Sequence, residues 1–386
     1  MVDALGLLGK LTEASRVSGR ALLALVFEAA RLRTSVGRLG ISEYLDFRLY
    51  LSDLTSEEKR AFGGWRAQAV LEEILVDDYS RFLSLDKITM YSLLRACGFQ
   101  IPELRAVYGT IRPAGITHIE SSAALQAFFR APGSLPVYMK PSLGSYGRGN
   151  TLIRRLDGES LVLGSGNTIP LEAFCESLHD AHGLGWILQE PLTPHPRIAE
   201  LCGERISGVR VHTFLTRDGP RITRAIWKIN VGTEDSDNFR HGASGNMLGA
   251  LDLNTGRVTR VVSGKGSAQV ENPAHPMSGM KLEGLHVPHW NDVKALVCEA
   301  HKAFPGYVCP GWDVAICEEG PKILEVNFFG DIDLSQHASR RGFLDPDFLG
   351  LMRDRGLDGL VASPAGRWKR SQRTGRLGRR KHHWTW

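Results

Sequence analysis

The stretch that decides the fold is GWDVAICEEGPKILEVN, residues 311–327, which predicts two short strands joined by a Gly-Pro turn. Glu325 and Asn327 are two residues apart, so they share one face of the second strand. If residues 319–321 form a three-residue loop, Asp313 lies opposite Asn327 on the first strand. These polar side chains then point the same way.

The two faces of this hairpin are expected to differ in chemistry. Two carboxylates, from Asp313 and Glu325, and the amide oxygen of Asn327 are hard oxygen donors of the kind that Mg²⁺ prefers. The residues expected on the opposite, core-facing side are Val314, Ile316, Leu324 and Val326. The alternative for this segment taken alone is an amphipathic hairpin with ordinary solvated acids.

The composition is that of a globular protein with two or three domains or lobes. The chain has 386 residues, of which 42% are hydrophobic and 23% are charged. Its formal net charge of +5 comes from one segment, because residues 367–386 contain eight Lys and Arg and no Asp or Glu. We expect residues 361–386 to form a basic, disordered tail that either makes a peripheral membrane contact or only aids solubility. No nucleic-acid partner is expected.

The cysteine pattern and the apolar runs favour the cytoplasm. The six cysteines include no C-x-x-C pair and no zinc-ligand spacing, so free buried thiols are expected. The apolar run at residues 21–27 ends at Glu28 and is too short to span a bilayer. These features predict a cytoplasmic enzyme.

Helical spacing of apolar residues dominates the first 83 residues. An amphipathic helix is expected within residues 1–35, with Arg31 and Arg33 near its end. Another helix is expected to begin after Thr55, before an acidic first turn.

The rest of the chain mixes helices with strands. The helices are expected at residues 86–97, ended by Gly98, and at 122–130, 170–181 and 291–303. The strands are expected at 104–109, 136–141, 151–155, 186–192, 209–216, 221–230, 248–253 and 257–262. The last four predict an antiparallel sheet, interrupted by a polar loop at residues 235–246 whose length is typical of a functional or a disordered segment.

A glycine-rich loop follows the strand that ends in Lys140. Residues 142–150, SLGSYGRGN, offer backbone N–H groups that can approach a phosphate closely. The strand–loop–strand context differs from the strand–loop–helix of Walker and Rossmann sites. A simple turn is the alternative.

In their order along the chain, these motifs resemble the ATP-grasp superfamily, and among its members the sugar-transfer-associated ATP-grasp proteins related to α-L-glutamate ligases. The motifs that carry the resemblance are Asp86-Lys87, Lys140 with the glycine-rich loop, Gln189-Glu190-Pro191-Leu192, Arg210, Lys228, and Asp313 with Glu325-Val326-Asn327. Further similarity lies at residues 41–50, 62–64, 275–276 and 287–290, so the resemblance spans roughly residues 40–350.

The resemblance implies an α+β class ATP-grasp fold, in which two lobes clasp ATP, with an N-terminal helical extension. The expected regions are a helical N-terminal region at 1–83, a small α/β unit at 84–134, a small lobe with the glycine-rich loop at 135–192, a large lobe with the magnesium site at 193–360, and the tail at 361–386.

The resemblance also implies a nucleotide site. Lys87 and Lys140 would reach the α- and β-phosphates of ATP. The loop residues expected to fold over the phosphates are Gly144, Ser145, Tyr146, Gly147 and Gly149. The residues expected near adenine, on the strand between the lobes, are Gln189, Glu190 and Leu192. His195 stands near the position where many members use an acidic residue on ribose.

The implied chemistry is ligation of a carboxylate to an amine through an acyl phosphate, with release of ADP and phosphate. Arg210 and Lys228 would face the γ-phosphate and the acyl phosphate, and Asp313, Glu325 and Asn327 would hold one or two Mg²⁺, which Mn²⁺ could replace. The carboxylate would belong to a small molecule, a peptide or a sugar acid. The alternatives are a phosphotransferase acting on a hydroxyl and a non-catalytic nucleotide-binding partner protein.

Overall fold

The computed structural model describes residues 4–143, 149–178, 185–232 and 236–357. The chain divides into two compact units, one formed by residues 1–74 with 341–386 and the other by residues 75–340. The predicted basic tail at 361–386 lies outside the described residues. The five region boundaries expected from the sequence stay predictions.

The first unit is helical throughout its described part. Its helices are α1 (Ala4–Ser18), α2 (Leu22–Arg33), α3 (Ile41–Asp46), α4 (Ser56–Arg60), α5 (Trp65–Leu75) and, near the other end of the chain, α13 (Pro346–Asp354). Helices α1, α2 and α3 contribute to a buried cluster that includes Leu25, Tyr44, Leu49 and Phe62.

Two helix predictions in this unit are confirmed. Helix α2 ends at Arg33 and buries Leu25 and Ala29, as expected for an amphipathic helix. Helix α4 begins after Thr55, whose hydroxyl accepts a hydrogen bond from the N–H of Glu58, while the Glu58 carboxylate accepts one from the N–H of Thr55.

The second unit contains two mostly antiparallel sheets. Its helices are α6 (Asp78–Leu85), α7 (Lys87–Ala96), α8 (Ser122–Arg130), α9 (Leu171–Ser177), α10 (Pro196–Cys202), α11 (Trp290–Lys302) and α12 (Ile332–Ser339). The strands of the first sheet are β1 (Leu104–Tyr108), β2 (Thr117–Ile119), β3 (Val137–Pro141), β4 (Thr151–Asp157), β5 (Ser160–Leu163), β6 (Thr168–Pro170) and β7 (Trp186–Gln189). The strands of the second are β8 (Val209–Thr216), β9 (Gly219–Ile229), β10 (Met247–Leu251), β11 (Val258–Ser263), β12 (Val270–Glu271), β13 (Gly311–Cys317) and β14 (Gly320–Asn327).

The strand order places β3, which carries Lys140, and β9, which carries Lys228, at the centres of the two sheets, and it places β14 at an edge. The first sheet runs β2-β1-β7-β3-β4-β5-β6, with only β1 and β2 parallel. The second runs β12-β11-β10-β9-β8-β13-β14, so the hairpin of β13 and β14 forms one edge. The four predicted strands of the second sheet are confirmed, whereas the short strands β2, β5, β6 and β12 were not predicted.

The second sheet has an apolar face and a polar face because side chains alternate along each strand. Helix α11 buries Val293 and Val297 in the same cluster as Trp227 of β9 and Val314 of β13. The neighbouring residues on these strands, Lys228 and Asp313, point to the other face. The polar face therefore lies on a sheet whose opposite face is packed against α11.

In the part of the chain that the structure describes, no helix is long and apolar enough to cross a membrane.

Candidate active site

The hairpin of β13 and β14 carries the expected metal-binding side chains, but its register differs from the prediction. Cys317 pairs with Gly320, so the loop has two residues rather than three. Asp313 lies opposite Glu325 and not opposite Asn327. The predicted register is wrong because the loop is shorter and closes earlier in the chain, and the one extra residue in β14 offsets only part of this difference. Since Asp313 faces Glu325 directly, the three polar residues still share one face.

The extra residue is Leu324, which forms a β-bulge. Asp313 pairs with Glu325 but the next residue, Val314, pairs with Ile323, so the register skips Leu324. Ile323 is fully buried whereas Leu324 is only half-buried, so the predicted core position of Leu324 is wrong. The other predicted core residues are buried: Val314, Ile316 and Val326.

Four charged residues lie in a row across the adjacent strands β14, β13, β8 and β9: Glu325, Asp313, Arg210 and Lys228. Asp313 pairs with Glu325 on one side and with Arg210 on the other. Lys228 follows two residues after Ile226, the partner of Arg210 on β9. The sheet thus brings together charges that are far apart in the sequence.

The contacts within this row are close. Arg210 donates from Nε to Oδ1 of Asp313 and from Nη2 to Oδ2 at 2.9 Å. The Nζ atom of Lys228 lies 3.3 Å from Oδ2 of Asp313 and 2.9 Å from Oδ1 of Asp237. Asp237 also accepts a hydrogen bond from the N–H of Gly208 at 2.8 Å. Asp237 was not among the predicted site residues, and its only signal was its place in the long polar loop.

Pairing outweighs burial and keeps Asp313, Arg210 and Lys228 charged. Burial alone would raise the pKa of Asp313, but the adjacent Arg210 and Lys228 outweigh it and hold that pKa well below its ordinary value. Burial would lower the pKa of Arg210, yet Asp313 raises it above its ordinary value. Lys228 also has a raised pKa, because Asp237 and Asp313 outweigh its burial.

Lys87, on helix α7, and Lys140, on the first sheet of the second unit, reach the same hairpin. Lys87 is the first residue of α7, after the N-cap Asp86, and its Nζ lies 3.4 Å from Oε1 of Glu325. Lys140 on β3 is buried and donates a hydrogen bond to the hydroxyl of Tyr91 at 2.7 Å. Burial lowers the pKa of Lys140 to about 7, although Glu325 opposes this shift.

The residues expected to bind a metal fit Mg²⁺ by the chemistry of their donors. The described residues contain no group of three His, Cys, Asp or Glu side chains placed to hold a metal, but the expected set uses two carboxylates and one amide. A carboxylate offers about four lone-pair positions, and Arg210 and Lys228 use three of those on Asp313. One position remains on Oδ1. Asn327 donates from Nδ2 to the carbonyl of Gly311 at 3.4 Å, which leaves its amide oxygen as a donor atom to a metal.

The residues expected near adenine lie at the end of β7 and just beyond it. Gln189 is buried in β7, and Leu192 is half-buried in the segment that follows. The backbone N–H of Glu190 donates to the carbonyl of Glu103 at 2.9 Å, and its carboxylate lies 2.8 Å from Nζ of Lys322. The carbonyl of Glu190 is therefore the backbone group with which it would meet a base.

His195 has a local structural role in addition to the expected ribose contact. It is the N-cap of α10, and its Nδ1 accepts a hydrogen bond from the N–H of Arg197 at 3.1 Å. Its ring lies 5.3 Å from that of His289, measured between centroids. Burial, followed by the neighbouring His289, lowers the pKa of His195. The ribose contact stays a prediction.

Most of the glycine-rich loop lies outside the described residues, namely Gly144, Ser145, Tyr146 and Gly147. Gly149 is described and has φ +80°, a left-handed conformation that favours glycine. A Cβ atom there would lie 3.1 Å from Pro141 Cγ and 3.2 Å from the Trp186 ring. Glycine at this position lets the chain return closely over the end of β3.

The polar loop before β10 contains unusual backbone conformations. Arg240, His241 and Gly242 all have positive φ, at 46°, 53° and 85°. Nδ1 of His241 lies 3.3 Å from Oδ2 of Asp333 near the start of α12. This contact joins the polar loop to the segment that follows β14.

Comparison with known proteins adds the family. A family model described as sugar-transfer associated ATP-grasp matches residues 74–346, so the match begins later than the resemblance drawn from the sequence. No curated protein matches the chain.

Several solved structures are similar at low identity. D-alanine–D-alanine ligase from Bacillus anthracis is 12% identical, with 76% of this chain and 73% of that chain covered and a TM-score of 0.39. The ATP-grasp ligase PsnB, complexed with minimal precursor, Mg and ADP, is 15% identical, with 74% and 61% covered and a TM-score of 0.37. Biotin carboxylase from Campylobacter jejuni is 10% identical, with 75% and 49% covered and a TM-score of 0.41. The chain thus spans less than two thirds of the last two proteins.

The family match extends over more than half of the chain and includes every predicted site residue from Lys87 to Asn327. The two mostly antiparallel sheets with helices confirm the α+β class. The chain belongs to the sugar-transfer associated ATP-grasp family.

Proposed function

We propose that the protein is an ATP- and Mg²⁺-dependent ligase that joins a carboxylate to an amine through an acyl phosphate. The observation that carries this proposal is a set of four cationic side chains around two carboxylates on one hairpin: Lys87, Lys140, Arg210 and Lys228 around Asp313 and Glu325. Phosphoryl transfer from ATP depends on fixed positive charge around the phosphates, and this set supplies it.

In the first step the substrate carboxylate attacks the γ-phosphorus of ATP. A new bond forms between the carboxylate oxygen and phosphorus, and the bond from phosphorus to the ADP oxygen breaks. Lys87 and Lys140 would hold the α- and β-phosphates, while Arg210 and Lys228 would face the transferred group. Because Arg210 and Lys228 are held on the second sheet by Asp313, they would need little reorganisation during transfer.

In the second step the amine nitrogen attacks the carbonyl carbon of the acyl phosphate. The new C–N bond forms, the C–O bond to phosphate breaks, and the proton that the nitrogen loses passes to the departing phosphate. Arg210 would donate a hydrogen bond to the oxyanion of the tetrahedral intermediate. Asp313 raises the pKa of Arg210, so this guanidinium would act through its charge rather than by giving up a proton.

Asp313, Glu325 and Asn327 would hold one or two Mg²⁺, or Mn²⁺, through their side-chain oxygens. The metal would supply charge neutralisation on the phosphate groups. Asp313 is also tied to Arg210 and Lys228, so the same carboxylate would set the position of the two catalytic cations.

The substrates we propose are a small-molecule, peptide or sugar-acid carboxylate together with an amine. The family description associates the fold with sugar transfer, which is the reason to include sugar acids among the first compounds tested. The amine can be an amino acid, an amino sugar or a peptide N-terminus.

The test is mass spectrometry of nucleotide and organic products after incubation with Mg·ATP and pools of carboxylates and amines. We expect ADP and a product equal in mass to one carboxylate plus one amine minus water. Arg210→Met should abolish this product. Arg221→Met, which changes an exposed arginine on β9, is the matched control and should retain it.

Two outcomes would contradict the ligase proposal. ADP together with a phosphorylated organic product and no condensation would instead support a phosphotransferase. An intact ATP pool with every substrate, in a protein that binds ATP, would support a non-catalytic nucleotide-binding role.

A further inference from the structure

The hydroxyl of Tyr91 lies where the two sheets of the second unit approach each other. It accepts a hydrogen bond from Nζ of Lys140, on the first sheet, at 2.7 Å. It donates one to the carbonyl of Leu324, on the second sheet, at 2.5 Å. Tyr91 is fully buried and Lys140 is 6% exposed, so these bonds form away from bulk water.

The β-bulge explains why the Leu324 carbonyl is available for this bond. The register of β13 and β14 skips Leu324, and β14 is the edge strand of its sheet. A bulged residue leaves the regular ladder, so its polar groups need other partners. The carbonyl of Leu324 accepts hydrogen bonds from the hydroxyl of Tyr91 at 2.5 Å and from Nζ of Lys140 at 3.4 Å.

Helix α7 contacts this edge through several side chains. Lys87 and Tyr91 are four residues apart, so they lie on the same face of α7. Lys87 contacts Glu325 at 3.4 Å, one residue beyond the bulge that Tyr91 contacts. One face of α7 therefore carries Lys87, a predicted phosphate-binding lysine, and Tyr91, which contacts the second such lysine, Lys140.

The aromatic ring makes a second contact with the lysine. Nζ of Lys140 lies 4.8 Å from the centroid of the Tyr91 ring, within the range of a cation–π interaction. The ring and the hydroxyl thus constrain the same ammonium group. Removing only the hydroxyl separates the two contributions, since phenylalanine keeps the ring.

We propose that Tyr91 is a positioning residue for the nucleotide, whose hydroxyl fixes the Lys140 ammonium so that it can bind a phosphate of ATP or ADP. This inference rests on the proposed function, because it assigns Lys140 to the phosphates. Tyr91 itself is not expected to touch the nucleotide. It acts through Lys140. Its hydrogen bond to the Leu324 carbonyl also holds that lysine in place next to the hairpin of β13 and β14.

The experiment is calorimetric titration of the full chain with Mg·ADP and, separately, with adenosine, which lacks phosphate. Tyr91→Phe should weaken Mg·ADP binding by about tenfold, the size of one hydrogen bond to a charged group, and should leave adenosine binding unchanged. Tyr307→Phe is the matched control. Tyr307 is also buried and donates to a backbone carbonyl, that of Ser80, at 2.8 Å, so its change should alter neither affinity.

A double variant tests whether Tyr91 acts through Lys140. Lys140→Met should weaken Mg·ADP binding, and adding Tyr91→Phe to it should cause no further loss. Lys140→Arg tests the same point without changing Tyr91. The ammonium position between a hydroxyl and a carbonyl does not suit a planar guanidinium, so we expect about tenfold weaker Mg·ADP binding.

The outcomes separate this inference from the proposed function. If wild type binds Mg·ADP and Tyr91→Phe binds it equally well, Tyr91 has no positioning role, whatever the reaction is. Equal losses for Mg·ADP and adenosine would indicate a structural role and overturn the inference. Full affinity in Lys140→Arg would overturn it even if Tyr91→Phe did not fold. Failure of wild type to bind Mg·ADP would overturn the proposed function and the inference together.

Discussion

Arg210 and Asp313 lie directly opposite each other on β8 and β13, and the guanidinium donates hydrogen bonds to both oxygens of the carboxylate. Both residues are buried, and Lys228 adds a second cation to Asp313. A buried ion pair is stable only while both partners are present, because either charge alone is costly to desolvate. The charge balance of the candidate site is therefore also a requirement of the fold.

The first prediction concerns this balance. Asp313→Asn should lower the free energy of unfolding by about 3–5 kcal/mol, because the amide cannot neutralise the buried cations of Arg210 and Lys228. Denaturant unfolding measures the change. The control, Glu159→Gln, breaks the exposed pair with Arg130 at 2.6 Å and should change stability by less than about 1 kcal/mol. Equal small losses in both variants would contradict the prediction.

Glu325 differs from Asp313 because its side chain is 29% exposed and pairs only with Lys87 at 3.4 Å among the salt bridges of the described residues. Glu325→Ala should abolish Mg²⁺-dependent turnover and lower the free energy of unfolding by less than Asp313→Asn does, because in this pair only Lys87 is buried. Turnover and thermal unfolding are measured together. Glu271→Ala, on β12 and paired with Arg260, is the control and should retain turnover. Full activity in Glu325→Ala would remove the hairpin from the mechanism.

The buried Lys140 predicts a pH dependence of nucleotide binding. Burial lowers its pKa to about 7, so the free protein loses this ammonium as the pH rises through about 7. A bound phosphate favours the charged form and raises the pKa. Binding of Mg·ADP at pH 8 should therefore take up a proton, and the affinity should fall as the pH rises from 7 to 9.

Calorimetry in two buffers of different ionisation enthalpy measures this proton uptake. Lys140→Met has no titrating group at this position and should bind Mg·ADP without the uptake assigned to Lys140. The same uptake in wild type and Lys140→Met would place the titration on another group.

The shared polar face of the β13–β14 hairpin could be predicted from the sequence, but its register could not. Glu325 and Asn327 share a face in any strand because they are two residues apart. The position of Asp313 depends on the bulge at Leu324. The bulge is accompanied by hydrogen bonds from Tyr91 and Lys140 to the Leu324 carbonyl. These partners are distant in sequence, so local alternation alone contained no signal for it.

The partners of the predicted cations were harder to find than the cations themselves. Lys140 and Lys228 stand out because charged residues interrupt apolar strands. Asp237 and Tyr91 complete their environments, but each joins through the packing of distant elements. Tyr91 had one usable signal, its spacing of four residues from Lys87 on a predicted helix. Asp237 had only its place in a long polar loop.

The basic segment at residues 367–386 gives a prediction that needs no structure. Its eight Lys and Arg lie outside the family match, which ends at residue 346. Deleting this segment should leave turnover of a soluble substrate unchanged, if it serves only as an anchor or a solubiliser. A loss of kcat in the shortened protein, with thermal unfolding unchanged, would show that the segment takes part in the reaction.

The last prediction concerns Gly330, which lies between β14 and α12. It has φ +77°, and a Cβ atom there would lie 2.9 Å from Nε2 of His212 and 3.4 Å from Nη1 of Arg210. Burial and the adjacent Arg210 lower the pKa of His212 to about 3, so the ring is neutral. Since the ring is also fully packed, it has little freedom to move away from a new methyl group.

Gly330→Ala should therefore collide with His212, which lies two residues from Arg210 on the same face of β8. Movement of His212 would shift Arg210 and lower kcat by at least tenfold, since small displacements of catalytic groups cost about that much or more. Gly279→Ala is the control, because Gly279 has φ +69° but open space around its Cβ position. Both variants carry the backbone strain of about 1–2 kcal/mol expected for alanine in this conformation, and only Gly330→Ala adds the collision. Equal activity in the two variants would mean that the guanidinium of Arg210 does not depend on this glycine for its position.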